Sequence, residues 1–121
     1  MARLNLGYAN FFVSDFDQTM TFFRDQLGLK VSKEDASFGY ASFATGPAQI
    51  AFACSTDQPD LIGRHTGIGL LTDDIHAAYE ELRAAGVEFE MAPTQQPWGG
   101  ILALFKDPDG NIFYLDQEQP H

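Results

Sequence analysis

The sequence predicts an α+β fold made of two βαβββ modules that together form a cup-shaped mixed sheet. Three observations carry this expectation. An amphipathic stretch opened by Ser14-Asp15 and closed by Gly28-Leu29 returns 58 residues later, from Thr72-Asp73 to Gly86-Val87. Each stretch follows a segment with strand character, and each precedes three more such segments. Turn residues punctuate both halves at matching places.

Taken in order, Leu4 to Val13 reads as the opening strand. Phe16, Met20, Phe23 and Leu27 then fall on one helical stripe, with Asp15 as the N-cap and Gly28 past the end. Strands follow at Leu29 to Ser32, Phe38 to Ala44 and Ala48 to Cys54, the last two joined by a Thr-Gly-Pro turn. Ser55 to Gly63, carrying Asp57, Pro59 and Asp60, is the linker. This gives module one as 1–54, the linker as 55–63 and module two as 64–121, within a single domain over 1–121. In module two, His65 to Thr72 is the opening strand, and Ile75, Tyr79, Leu82 and Ala85 mark the helix stripe. Strands at Val87 to Met91, Gly100 to Phe105 and Asn111 to Leu115 complete it, with Asp107-Pro108-Asp109-Gly110 as the last hairpin turn. A half this short cannot bury both faces of its own sheet, so the two are expected to pair around a shared concave surface.

Bulk properties narrow the function. A chain of 121 residues with 45% hydrophobic and 20% charged side chains has the composition of one globular domain. No apolar run approaches the ~20 residues of a membrane helix, and the first residues lack the basic-then-apolar pattern of a secretory signal. No membrane partner and a cytoplasmic location are expected. Seventeen acidic against seven basic side chains give a net charge of -10, which repels phosphate backbones and argues against nucleic acid as a partner. The single cysteine, Cys54, forms no disulfide within the chain and sits beside Phe52 and Ala53 as a small core residue. Neither a nucleophile triad, a P-loop nor a dinucleotide fingerprint is present, so no residue is assigned a catalytic role.

Several segments then match a family pattern in order and spacing: Val13-Ser14-Asp15, Phe22-Phe23-Arg24-Asp25-Gln26-Leu27-Gly28-Leu29, Thr72-Asp73-Asp74-Ile75-His76-Ala77-Ala78-Tyr79, Pro97-Trp98-Gly99-Gly100 and Phe105-Lys106-Asp107-Pro108-Asp109-Gly110-Asn111. Together they resemble the vicinal oxygen chelate superfamily of glyoxalases, extradiol dioxygenases and bleomycin-resistance proteins. The resemblance implies a single glyoxalase-like domain, a cup-shaped site and a homodimer. Its enzymes hold a divalent metal with His, Glu or Gln from both modules. The corresponding positions here are Tyr8, Ala51, Gly67 and Tyr114, none of them a good ligand: glycine and alanine carry no donor, and a neutral phenol is a poor one. No cofactor is therefore expected. His65, two residues before Gly67, would share its face on an extended strand, whereas His76 lies in the polar part of helix two and His121 is the last residue.

Period-two alternation places Tyr8, Asn10 and Phe12 of the first strand and Gln49, Ala51 and Ala53 of the fourth toward the cavity. Module two offers His65, Gly67, Gly69, Ile112 and Tyr114. Trp98, the sole tryptophan, sits in a Pro-Trp-Gly-Gly loop suited to ligand contact. The ligand-binding candidates are thus Tyr8, Asn10, Phe12, Gln49, His65, Trp98 and Tyr114. The expected function is metal-independent binding of a small aromatic or cationic molecule, resembling the bleomycin-resistance type of sequestering protein. The alternative is a metal-dependent glyoxalase-like lyase or isomerase, or a dioxygenase, with a divalent metal held by a ligand set rebuilt from His65, Gln49, Glu88 or a partner chain. A third possibility is acid–base chemistry without metal, using a tyrosine or His65.

Overall fold

A computed structural model describes residues 2–55 and 57–119. The chain forms two compact units that divide between Ile62 and Gly63. Module one contains β1 (Tyr8–Val13), α1 (Phe16–Met20) continuing into a π-helical turn (Thr21–Gln26), then β2 (Lys30–Asp35), β3 (Tyr40–Ala44) and β4 (Gln49–Cys54). Module two contains β5 (His65–Thr72), α2 (Ile75–Ala84), β6 (Glu88–Gln95), β7 (Ile101–Lys106) and β8 (Ile112–Gln117). Both modules are therefore βαβββ, and each has its own four-stranded mixed sheet. The orders are β1-β4-β3-β2 and β5-β8-β7-β6. In each, the first strand runs parallel to the last, and the remaining pairs are antiparallel. A 3-10 turn at Pro59–Leu61 lies in the stretch read as the linker, and Ile62 bridges to Phe12.

The helices begin alike. Asp15 Oδ1 accepts from the Gln18 N–H at 3.0 Å, and Asp74 Oδ1 accepts from the Ala77 N–H at 3.1 Å, so each carboxylate satisfies one of the free amides of the first turn. The equivalent of Asp15 is thus Asp74, not Asp73 as the repeat suggested. The cap-to-cap offset is one residue longer than the offset between Gly28 and Gly86. The π-helical turn accounts for that residue: the Leu27 N–H reaches back five residues to the Phe22 carbonyl, at 2.9 Å.

The same turn corrects the expected stripe. A regular helix would bury Phe16, Met20, Phe23 and Leu27; the structure buries Thr19, Met20, Phe22 and Phe23 and leaves Phe16 and Leu27 half-buried. One extra residue per turn brings two adjacent phenylalanines onto the sheet. They join Phe11, Phe43 and Phe52 in a core of tilted, stacked and edge-on rings with centroids 4.9 to 6.2 Å apart. Module two packs Ile75 and Val87 with Phe105, Phe113 and Leu115, while Tyr79 and Phe89 close the helix side edge to face at 4.6 Å. Ala85, expected on the α2 stripe, is exposed: it is the C-cap residue and lies beyond the last helical turn.

Candidate functional site

The two modules differ most on the sheet face away from the helix. In module one, Asn10, Ala51, Ser42 and Lys33 form a cross-strand row, with Ala51 and Ser42 buried. Tyr8 pairs with Gln49 at the start of β1 and β4, with Tyr8 62% exposed and Gln49 half-buried. Asn10 is exposed and Phe12 half-buried on the same strand. These four candidates share one sheet.

Module two has a hollow on that face. One cross-strand row runs Gly69, Tyr114, Leu104 and Met91, and the next runs Leu71, Asp116, Leu102 and Thr94. Alternation turns Ala103, Phe105, Phe113 and Leu115 into the core and leaves their neighbours on the opposite face. There, His65, Met91, Gln96, Trp98, Leu102, Leu104, Tyr114 and Asp116 surround a concavity of about 410 Å³. Three of the sequence candidates, His65, Trp98 and Tyr114, meet here. Five lining residues were missed. Asp116 lies one alternation step beyond Tyr114, but β8 was expected to stop at Leu115; it runs on to Gln117. Met91 was placed at a strand end, whereas β6 continues to Gln95 through two irregularities in its pairing with β7. Leu102 and Leu104 were recoverable from the alternation of β7, and Gln96 had no sequence signal.

Trp98 is 73% exposed, and its indole lies over the buried Gly100, where a Cβ would stand 2.9 Å from the indole nitrogen. At the other side His65 packs against Tyr114, with ring centroids 5.0 Å apart. His65 and Gly67 do not sit on a regular extended strand as expected. His65 pairs with Ile112 and Gly69 with Tyr114, so three residues of β5 face only Phe113, and the strand bulges. Inside the bulge, side chains replace ladder partners: the Ile68 N–H donates to Thr66 Oγ1 at 3.1 Å, and the Gly67 N–H donates to His65 Nδ1 at 3.1 Å. The Thr66 hydroxyl in turn donates to the Ile112 carbonyl at 2.7 Å.

The hairpin between β7 and β8 anchors this sheet. Asp107, buried, accepts from the Asn111 N–H at 2.8 Å, the Asn111 side-chain amide at 2.9 Å and the Asp109 N–H at 3.0 Å. Asn111 Oδ1 accepts from the N–H groups of Gly63 and Arg64, tying the entry of β5 to the hairpin. Burial pushes the Asp107 carboxyl up to about 6, aided by the Asp109 charge and opposed by the hydrogen bonds it accepts from Asn111 and Asp109.

The metal-ligand positions fit no metal. Ala51 and Gly67 carry no donor atom, and Tyr8 and Tyr114 offer phenols. Among the described residues, no three His, Cys, Asp or Glu side chains gather as a ligand set. His121 lies outside the described residues.

Residues 5–115 match the family model of the Glyoxalase/Bleomycin resistance protein/Dioxygenase superfamily. The chain belongs to this superfamily. A superfamily member from Sphaerobacter thermophilus superposes with a TM-score of 0.84 at 30% identity, covering 96% of this chain and 98% of that one. TnmS3, an antibiotic binding protein from Streptomyces, superposes with a TM-score of 0.78 at 28% identity, over 98% and 99% of the two chains. A bleomycin resistance protein of Klebsiella pneumoniae is 28% identical over 112 residues, covering 87% of this chain and 86% of its own. A lactoylglutathione lyase of Arabidopsis thaliana is also 28% identical, over 119 residues, but the match spans only 42% of that enzyme. Proteins similar to this chain thus include an antibiotic binding protein, a bleomycin resistance protein and a lyase. No helix among the described residues is long and apolar enough to cross a membrane.

Proposed function

We propose that the chain is a metal-independent small-molecule binding protein that sequesters an aromatic or cationic ligand, with the module-two hollow as its principal contact surface. The observation that carries this reading is the composition of that hollow. Its volume of about 410 Å³ lies in the range of small-molecule sites, and its wall is largely aromatic and aliphatic with a few polar groups. Trp98 and Tyr114 offer ring area for stacking, Leu102, Leu104 and Met91 offer an apolar floor, and Asp116 provides a carboxylate that attracts a cation. No ion pair engages Asp116 among the described residues. The donor-free positions Ala51 and Gly67 favour binding over metal chemistry, and the likeness to a bleomycin resistance protein and to an antibiotic binding protein supports the same class. Tyr8, Asn10, Phe12 and Gln49 remain candidates by residue type and strand face alone. A homodimer, acting in the cytoplasm, is the working assembly.

The test uses the sole tryptophan as reporter. Bleomycin and a set of planar aromatic cations are titrated into the protein with and without EDTA while Trp98 fluorescence is followed. Saturable quenching that survives EDTA is expected, and in calorimetry, which does not depend on the indole, Trp98→Ala should bind the same compounds more weakly. Binding that requires an added divalent metal, or stoichiometric metal in the purified protein together with lyase turnover of an α-ketoaldehyde–thiol adduct, would sink the proposal. Trp98→Ala itself should change folding stability by no more than about 0.5 kcal/mol, because the ring is largely in solvent.

A further inference from the structure

The β5 bulge has a consequence for the chemistry of the hollow. At a bulge the backbone amides lose their ladder partners and must be satisfied otherwise. Here the Gly67 amide turns to the imidazole of His65, because Gly67 adopts φ +72, the left-handed region that other residues enter only with strain. A Cβ at Gly67 would meet nothing within 4 Å, so the backbone conformation, and not crowding, reserves this position for glycine. An imidazole nitrogen that accepts a hydrogen bond carries no proton, and in the neutral ring the proton then resides on the other nitrogen. His65 lines the hollow and packs on Tyr114, and its Nε2 has no partner among the described residues.

We infer that Gly67 holds His65 in its Nε2–H tautomer, so that the hollow presents a fixed hydrogen-bond donor there and selects ligands carrying an acceptor, a carbonyl-type oxygen or an aromatic nitrogen, at that end. The inference rests on the hollow being a ligand site and adds a polarity to it. The donor stands at His65, and an acceptor stands at Asp116, farther along β8 from the Ile112 position that pairs with His65. An aromatic ligand with an acceptor at one end and a cation or donor at the other fits that pattern. Gly67 is a positioning residue, since it acts through His65.

Long-range proton–nitrogen NMR of the full chain, labelled with 15N, reads the tautomer without any ligand. Neutral His65 is expected to show a protonated Nε2 in a larger proportion than exposed His76, which serves as the internal reference. Gly67→Ala should shift His65 toward the His76 proportion. Gly67→Asn, which tolerates left-handed backbone, should preserve it and guards against simple misfolding. A proton on His65 Nδ1, or a wild-type proportion equal to that of His76, overturns the inference. The acceptor preference is read by titrating 9-fluorenone and its methylene counterpart fluorene while following the Trp98 indole N–H signal. Fluorenone should bind about three- to tenfold more tightly, the range of one neutral hydrogen bond, and His65→Phe should abolish the difference. Equal binding of the two by the wild type overturns the acceptor assignment. If neither probe moves the Trp98 signal, the ligand-site reading falls and the acceptor assignment with it, whereas the imidazole spectrum decides the tautomer on its own.

Discussion

Modules one and two repeat a topology, a helix cap and a helix stop, yet they distribute their large side chains differently over the two faces of their sheets. Module one drives five phenylalanines, Phe11, Phe22, Phe23, Phe43 and Phe52, into the layer between helix and sheet, and sets Asn10, Ala51 and Ser42 on the other face. Module two keeps a leaner core and places Tyr114, Leu102, Leu104 and Met91 on the face away from its helix, beside Trp98. A repeated βαβββ unit can thus keep its helix-side core in both copies while the residues on the opposite sheet face change.

If that division holds, equal truncations should have very unequal effects. Phe52 is fully buried and touches the rings of Phe11, Phe16 and Phe43 with centroids 5.6 to 6.2 Å away. Phe52→Ala should cost about 3–5 kcal/mol of stability in urea denaturation, through lost transfer energy and the cavity left behind. Leu104→Ala, on the half-buried wall of the hollow, should cost about 1 kcal/mol while weakening ligand binding. Comparable losses for the two would show that the hollow is core and not recognition surface.

The hairpins that close the two sheets make a second contrast, this time in pH. The β3–β4 turn of module one is held by an uncharged bond, Thr45 Oγ1 to the Ala48 carbonyl at 2.9 Å, whereas the β7–β8 turn of module two is held by the buried Asp107. The Asp107 carboxyl, raised from 3.8 to about 6, binds its proton more tightly in the folded chain than in the unfolded one. Its contribution is therefore fully present below about pH 4 and is lost as the pH rises through 6, a change of about 3 kcal/mol for a shift of this size. The stability difference between wild type and Asp107→Asn, followed with pH, reads chiefly this group. That difference should move against the wild type by up to about 3 kcal/mol between pH 4 and pH 7. A difference flat with pH would mean that the three accepted hydrogen bonds offset the burial of the charge.

Which of these features the sequence announced follows from how locally each is encoded. The βαβββ repeat was legible because helix stripes, cap residues and glycine stops are short-range signals. The π-helical turn was not, since Phe22-Phe23 reads equally well as one stripe residue beside one exposed ring. The β5 bulge was hidden for a similar reason: Thr66 and Ile68 are good strand residues, and only the glycines at 67 and 69 hinted at irregular pairing. Of the hollow, His65, Trp98 and Tyr114 were singled out by residue type and strand face. Asp116 and Met91 were not, because they sit where β8 and β6 outrun their apolar cores and pairing alone decides the strand end. The module-one candidates Tyr8, Asn10, Phe12 and Gln49 came from the same face rule, which finds a face but not a concavity.

The smallest expected effect bears on the feature the modules share most closely. Asp15 and Asp74 make the same cap bond within 0.1 Å, yet the helix after Asp15 passes into a π-helical turn after Met20, whereas the helix after Asp74 stays regular to Ala84. A cap acts on the first turn only, so a widening that begins a turn later should leave its value unchanged. Asp15→Ala and Asp74→Ala should each lower stability by about 1 kcal/mol, measured by urea denaturation with each variant alone and both combined. The double variant should show the sum, because the two caps lie in separate units and share no partner. If Asp15→Ala costs clearly more than Asp74→Ala, the cap also holds the π-helical turn in place. Truncating Phe22, which that turn brings into the core, should then lose part of its effect in the Asp15→Ala background.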